Sequence, residues 1–169
     1  LKTVYGTKAI TAGNAPGLND GATAIMLMTR KKAEELKLKV LATVIGNVSI
    51  AINASRMPEG PGLAMLKLLK QTGLTLDDMK VMEINEAFAC VPLVSMKLAA
   101  EGSQKKYDDM VKKMNVNGSA IAIGHPNTAS GARVMMNLMY ELHRQGGGYA
   151  MGAICGGLAQ ADACIIKVE

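Results

Sequence analysis

The sequence predicts an α/β domain built on a largely buried mixed β-sheet, and three observations predict it. Strand-like and helix-like segments alternate along the chain. Two helical segments, residues 87–100 and 130–144, have almost no polar face. Glycine-bearing polar motifs stand where strands end, which is where ligand chemistry collects in open α/β sheets.

The elements follow in order. "GATAIMLMTR" (21–30) reads as a buried strand and "KKAEELKL" (31–38) as a short exposed helix. "VLATVIGNVSIAI" (40–52) is rich in β-branched residues and predicts a strand. "GPGLAMLKLLKQTG" (60–73) predicts a helix, with Pro61 near its start and Gly73 after its end. "KVMEINEAF" (80–88) is a short strand ending in polar residues, and "NGSAIAIGH" (117–125) reads as another strand. "YAMGAICGG" (149–157) and "ADACIIKVE" (161–169) read as a closing strand pair.

The two apolar helices carry an architectural implication. In "SGARVMMNLMYELHR" the polar residues Arg133, Asn137, Glu141 and Arg144 make one narrow stripe, and in "AFACVPLVSMKLAA" only Ser95 and Lys97 are polar. Helices this apolar are covered on more than one side, either by loops of their own domain or by a second layer from another domain or chain. The second layer is the expectation, because exposed apolar patches of this size mark interfaces.

Bulk properties narrow the function classes. The 169 residues suffice for one domain with a real core. Apolar residues make up 49% and charged residues 20%, an ordinary soluble composition. The longest uncharged, glycine-free apolar run, near "ATAIMLM", is far too short for a membrane span, and no basic-then-apolar leader opens the chain. The three cysteines fit neither a CxxC pair nor a zinc spacing, so no metal site is expected and a reducing cytoplasm or organelle matrix is the simplest home. The net charge of +5 comes from scattered lysines, and with 3% aromatics nucleic-acid binding is not expected. An anionic small molecule fits the charge at least as well.

Four motifs carry the chemistry: "TAGNAPGLNDGA", "INEAFA", "NGSAIAIGHPNTASGAR" and "AICGGLAQAD". Alone, His125 between Gly124 and Pro126 could be a packed ring tying a loop, and Cys155 a small buried hydrophobe. A cysteine followed by two glycines at a strand end is less bland, since such glycines permit close backbone approach. In order and spacing the motifs resemble the carboxyl-terminal half of the thiolase family, the acyl-CoA C-acyltransferases. The resemblance covers essentially the whole chain, and Asn-Glu-Ala-Phe, Gly-His-Pro and Cys-x-Gly in that order are highly specific for it.

The resemblance implies a mixed sheet with helices on both faces, packed on a similar half as an αβαβα sandwich whose central layer would hold the two apolar helices. It implies that residues 1–15 return from a loop domain into the AGN loop and that 16–169 form the carboxyl-terminal domain. The nucleophilic cysteine would sit on an amino-terminal half outside these residues, in the same or a separate chain, and the assembly would be a homo- or hetero-oligomer. The substrates implied are acetyl-CoA and acyl-CoA, condensed or released by thiolysis of a 3-ketoacyl-CoA. Coenzyme A thioesters are then substrates, with no cofactor or metal needed, and the enzyme would be cytoplasmic.

Residue by residue, His125 matches the family histidine that activates the nucleophile and donates to the thioester oxygen. Cys155 matches the cysteine that removes and returns the α-proton. Asn85 would orient a water that joins His125 in one oxyanion hole, and the Gly157 backbone N–H would belong to the second. Met57, Ala87 and Phe88 match positions lining the acyl and pantetheine tunnel, and Ala12 and Gly13 match backbone beside the pantetheine arm. Glu86 is expected to order loops. Cys90, Cys164 and His143 are assigned no chemical role.

The chain departs from the family pattern at Pro16, at Leu158 and Ala159, and at Asn127 and Thr128. Pro16 stands where many members carry a pantetheine-bonding serine, and the other four lie near the acyl end. Two other functions fit parts of the pattern. A ketoacyl synthase also uses a Gly-His element, but Cys155 and Asn-Glu-Ala-Phe oppose it. A non-catalytic thiolase-like acyl-CoA or lipid-binding or scaffold protein would not need Asn85, His125 and Cys155 together.

Overall fold

A computed structural model describes residues 1–4 and 6–169. Tyr5, within the predicted return segment, lies outside the described residues. A four-stranded mixed sheet organises the chain, with strands β1 (Thr43–Ala51), β2 (Met79–Ile84), β3 (Gly148–Cys155) and β4 (Gln160–Val168) in the spatial order β1-β4-β3-β2. β2 and β3 are parallel, and the β1–β4 and β3–β4 pairs are antiparallel. The parallel pair decides where the site lies, because it brings the carboxyl ends of β2 and β3 to the same edge, with Ile84 beside Ala153.

Among the described residues the α-helices are α1 (Arg30–Glu35), α2 (Gly60–Thr72), α3 (Cys90–Ala99), α4 (Gln104–Val111), a single turn α5 (Ala120–Ile123) and α6 (Ser130–Arg144). Helix α2 begins with Pro61 in its first turn, where a missing N–H costs nothing, and stops at Gly73, which adopts φ 72 and returns its N–H to the Leu69 carbonyl.

Alternation along β2 divides its side chains between the two faces. Met82 and Ile84 join Ala64, Met65 and Leu68 of α2 and Val91, Met96 and Ala99 of α3 in the larger core. Val81 points the other way, into a smaller core with Val134, Leu138 and Leu142 of α6. Glu83 shares that face by the same alternation. Helices thus lie on both faces of the sheet, as the sequence predicts. Backbone contact is close on the first face: a Cβ on Gly62 of α2 would meet the Ser95 carbonyl oxygen of α3 at 2.5 Å.

Two expected strands are not strands in this sheet. Residues 21–29 belong to no strand or helix, and Ile25, Met26, Leu27 and Met28 are all exposed, with Met26 at 79%. Apolar β-rich character identifies a pairing-competent segment but cannot supply its partner. Residues 120–123 form a helical turn, with Gly124 N–H donating to the Ala120 carbonyl. The alanines of "AIAI" favour helix over strand, and the pairing expected there falls earlier: Lys113 and Asn115 bracket a single bridge of Met114 to Met82 on the open side of β2. No described helix is long and apolar enough to cross a membrane.

Candidate functional site

The site forms where β2 and β3 end. Asn85 follows β2 directly, and its N–H donates to the Ala153 carbonyl of β3 at 3.0 Å, which fixes it against the strand that ends in Cys155. The next residues run over the cleft toward α3. The Asn14 carbonyl of the AGN loop accepts from Ala89 N–H at 2.9 Å and pins that loop to the Asn-Glu-Ala-Phe motif. His125 enters on the opposite loop, where its N–H donates to the Gly17 carbonyl at 3.1 Å. Gly124 before it needs φ 93, and a Cβ there would strike the Asn19 side chain, so this approach requires glycine.

A cleft of about 490 Å³ results, lined by His125, Cys155, Gly157, Met57, Ala87 and Phe88, with Ala15, Pro16, Leu18, Asn127, Thr128, Ile154 and Gly156 completing the wall. Met57 is carried by a 3-10 turn, Ala54–Glu59, which Ser95 of α3 anchors through a 2.8 Å bond to the Pro58 carbonyl. Asn85 is fully buried behind the cleft, and its Nδ2 lies 3.4 Å from His125 Nε2. Ala12 and Gly13 occupy an exposed turn and are not among the lining residues. Instead Ala15, Pro16 and Leu18 of the same loop reach the cleft.

His125 has two neighbours with defined chemistry. Nδ1 is 2.7 Å from Ser130 Oγ, on the first residue of α6, and Nε2 faces Asn85. Burial, then the charge of Arg133, hold the imidazole below its ordinary pKa, so the ring is neutral at pH 7 and able to accept a proton. Burial pushes the Cys155 thiol up, so the side chain rests as a thiol. The Gly157 N–H has no hydrogen-bond partner among the described residues. The turn that carries it closes through Ala159 N–H to the Gly156 carbonyl, with Ala159 itself at φ 63, a conformation that glycine adopts more cheaply. Nucleophile activation, proton transfer at carbon and stabilisation of a developing oxyanion all have suitable groups around this cleft.

Behind Asn85 lies a polar cluster that sequence reasoning missed. Glu83, 1% exposed, accepts from Ser119 Oγ at 2.8 Å, Arg133 Nη1 at 2.7 Å and Asn137 Nδ2 at 2.7 Å. Arg133 Nη2 donates to Asn85 Oδ1 at 3.2 Å. The available signal was the stripe of Arg133 and Asn137 on an otherwise apolar helix, together with a glutamate inside a buried strand. Glu86 binds Ile121 N–H and Asn115 Nδ2, which orders loops as expected. His143 at the end of α6 contacts the Leu41 carbonyl at 2.8 Å, and neither residue lines the cleft. Cys164, in β4, has its thiol raised to about 11 by burial.

Fold and site together define a mixed-sheet α/β domain presenting a cysteine at the end of a parallel strand and a neutral histidine on the loop that follows a helical turn. Residues 38–168 match the family model described as the thiolase C-terminal domain. An acetyl-CoA acetyltransferase of Syntrophomonas wolfei is 40% identical over 159 residues, covering 94% of this chain and 39% of that protein. A β-ketoadipyl-CoA thiolase of Acinetobacter baylyi is 41% identical over 94% of the chain and 38% of that protein. The human mitochondrial 3-ketoacyl-CoA thiolase, solved in complex with CoA, superposes with a TM-score of 0.89 at 38% identity, over all of this chain and 41% of that one. The chain belongs to the thiolase family. It spans about two fifths of the length of these relatives.

Proposed function

We propose that the chain supplies the carboxyl-terminal half of an acyl-CoA C-acyltransferase site, condensing acetyl-CoA with an acyl-CoA or cleaving a 3-ketoacyl-CoA by thiolysis. The observation that carries this reading is the joint presence of His125 and Cys155 on one cleft, with Asn85 facing the histidine from behind. His125 Nε2 takes the proton of a nucleophilic cysteine on the complementary half and, once protonated, donates to the thioester oxygen. Cys155 takes the α-proton of the acetyl thioester. Asn85, through an oriented water, and the Gly157 N–H stabilise the two oxyanions as they develop. Met57, Ala87 and Phe88 bound the acyl and pantetheine path.

The partner is a thiolase amino-terminal half, in the same or a separate chain, within an oligomer. The exposed groups on α5, α6 and the segment before α1 support this. Tyr140 is 59% and Ile123 56% exposed, the apolar segment 21–29 lies unpaired, and Arg133 Nε is buried without a partner among the described residues. A covering half in a five-layer sandwich would bury the apolar groups and can supply an acceptor for Arg133. Coenzyme A thioesters are the substrates, with no resident cofactor or metal. The described cysteines are unpaired, which suits a reducing compartment such as the cytoplasm.

The test pairs this chain with a thiolase half that carries the nucleophile. Cys155→Ser is expected to keep acyl-enzyme formation and lose exchange of α-deuterium from acetyl-CoA by roughly 10²–10⁴-fold, the usual worth of a positioned acid–base group. His125→Ala is expected to stop acylation first, with the lost oxyanion donor alone worth about 2.7–4 kcal/mol. Wild-type exchange by Cys155→Ser, or binding of acyl-CoA with no turnover by the paired wild-type protein, would overturn the reading.

A further inference from the structure

Neither Glu83 nor Arg133 lines the cleft, yet the pair is wired to His125 through one side chain. A guanidinium has donors only, so the Asn85 atom facing Arg133 Nη2 at 3.2 Å is the carbonyl Oδ1. The other end of the amide, Nδ2, then faces His125 Nε2 at 3.4 Å. An amide nitrogen donates and does not accept, so Nε2 must offer a lone pair. The ring proton is left to Nδ1, which donates to Ser130 Oγ at 2.7 Å. Flipping the amide would put its NH₂ against the guanidinium and its oxygen against the imidazole lone pair.

Arg133 cannot turn away from this task. Its Nη1 is bound to the buried Glu83 carboxylate at 2.7 Å and its Nη2 also reaches Ser119 Oγ at 3.3 Å. Glu83 in turn is held by Ser119 and Asn137, so β2, the 119–123 turn and α6 all brace one guanidinium.

We infer that Arg133, braced by Glu83, is a positioning residue that locks the Asn85 amide and thereby sets His125 in the tautomer with Nε2 unprotonated. The inference rests on the catalytic reading of His125 for its use in turnover, but the tautomer itself is a property of the chain. A histidine in this tautomer can take a thiol proton at Nε2 once that lone pair is released from the Asn85 amide, and the same atom then carries an N–H. In the opposite tautomer Nε2 already carries a proton and cannot act as that base. His125 is neutral at pH 7, held there by burial and the Arg133 charge, so tautomer choice rather than protonation decides its competence.

The experiment is ¹⁵N NMR of the full chain labelled with [¹⁵N]histidine. The chain has two histidines, and His143→Gln leaves His125 alone. Expected for His125 at pH 7 is a pyrrole-like Nδ1 and a pyridine-like Nε2. Asn85→Asp, which offers an acceptor where Nδ2 stood, is expected to move the proton to Nε2 and exchange the two shifts. Arg133→Gln is expected to drive both nitrogens toward averaged shifts. Glu141→Gln disturbs a different buried carboxylate of α6 and is expected to leave the His125 shifts alone, which separates positioning from loss of stability. A protonated Nε2 in the parent chain, or a folded Arg133→Gln with unchanged shifts, overturns the inference. Should Arg133→Gln not fold, Asn85→Asp decides: an unmoved proton overturns it. In the paired enzyme, Asn85→Asp should lower kcat by roughly 10²–10⁴-fold with little change in KM. Parent shifts as expected beside a paired enzyme without turnover would sink the catalytic reading and leave the tautomer assignment standing.

Discussion

The two faces of the sheet are built on different principles. The α2/α3 face is dry: Met65, Leu68, Met82, Ile84, Val91 and Ile165 are all buried and close on one another within the chain. The α6 face mixes a small apolar core with buried polar groups, Glu83, Ser119, Ser130 and Glu141, and leaves Tyr140 and Ile123 in solvent. The first face holds the domain together. The second carries the groups that orient the site, and apolar side chains stay exposed outside it as they do on α3, where Leu93 is 52% exposed. Hydrogen-bond geometry is directional where apolar packing is not, so the face that needs an oriented amide and imidazole is the one with buried polar partners.

That contrast can be broken most sharply at Glu83. Glu83→Ala leaves Arg133 without its carboxylate in a buried setting, and a loss of about 3–5 kcal/mol of stability is expected in urea unfolding. A change under 1 kcal/mol would mean the polar cluster does not hold the α6 face. Next comes a matched pair of truncations. Leu68→Ala, in the larger core, is expected to cost about 2–5 kcal/mol, and Leu138→Ala on α6 to fall at the low end of that range, because its surroundings can collapse toward open solvent. Equal losses would show that the faces are equally closed.

A smaller effect is expected at Glu141. Hydrogen bonds from Arg144, Gln145 and Asn117 lower its pKa to about 2. A carboxylate depressed in the folded state stabilises it above the ordinary carboxylate pKa and loses that contribution as pH falls toward about 2. Glu141→Gln should therefore cost roughly 1–3 kcal/mol at pH 7, and the gap in Tm between parent and variant should narrow as the pH is lowered from 5 to about 2. A gap independent of pH would rule out the charged carboxylate as its source. The smallest effect on stability belongs to the exposed groups. Met26→Ser and Tyr140→Ser are expected to stay within about 0.5 kcal/mol of the parent in the chain by itself, while weakening association with a thiolase amino-terminal half in a titration calorimeter. Unchanged association would take these exposed groups out of the interface.

Much of this was legible from residues alone. β1, α2, α6 and the β3–β4 pair follow from β-branched runs, Pro61 and Gly73 as punctuation, and helical periodicity, all of which are local. The motifs after β2 and β3 bring Ala87, Phe88, Cys155 and Gly157 to the cleft because strand termini of parallel neighbours share an edge, whereas Met57 and His125 reach it on a 3-10 turn and a loop after a helical turn. Local signals could not say that 21–29 lacks a partner, because a strand is defined by what it pairs with. They could not decide 120–123, whose four apolar residues fit either element. Nor could they show that the polar stripe of α6 turns inward to partners as distant in sequence as Glu83 is from Asn137, 54 residues away. The sequence by itself determined which segments are apolar, where they stop and which reactive groups stand at the stops. Only the tertiary structure decided which polar group faces which, and so how His125 holds its proton, because hydrogen bonds between distant residues exist only once the apolar faces have brought them together.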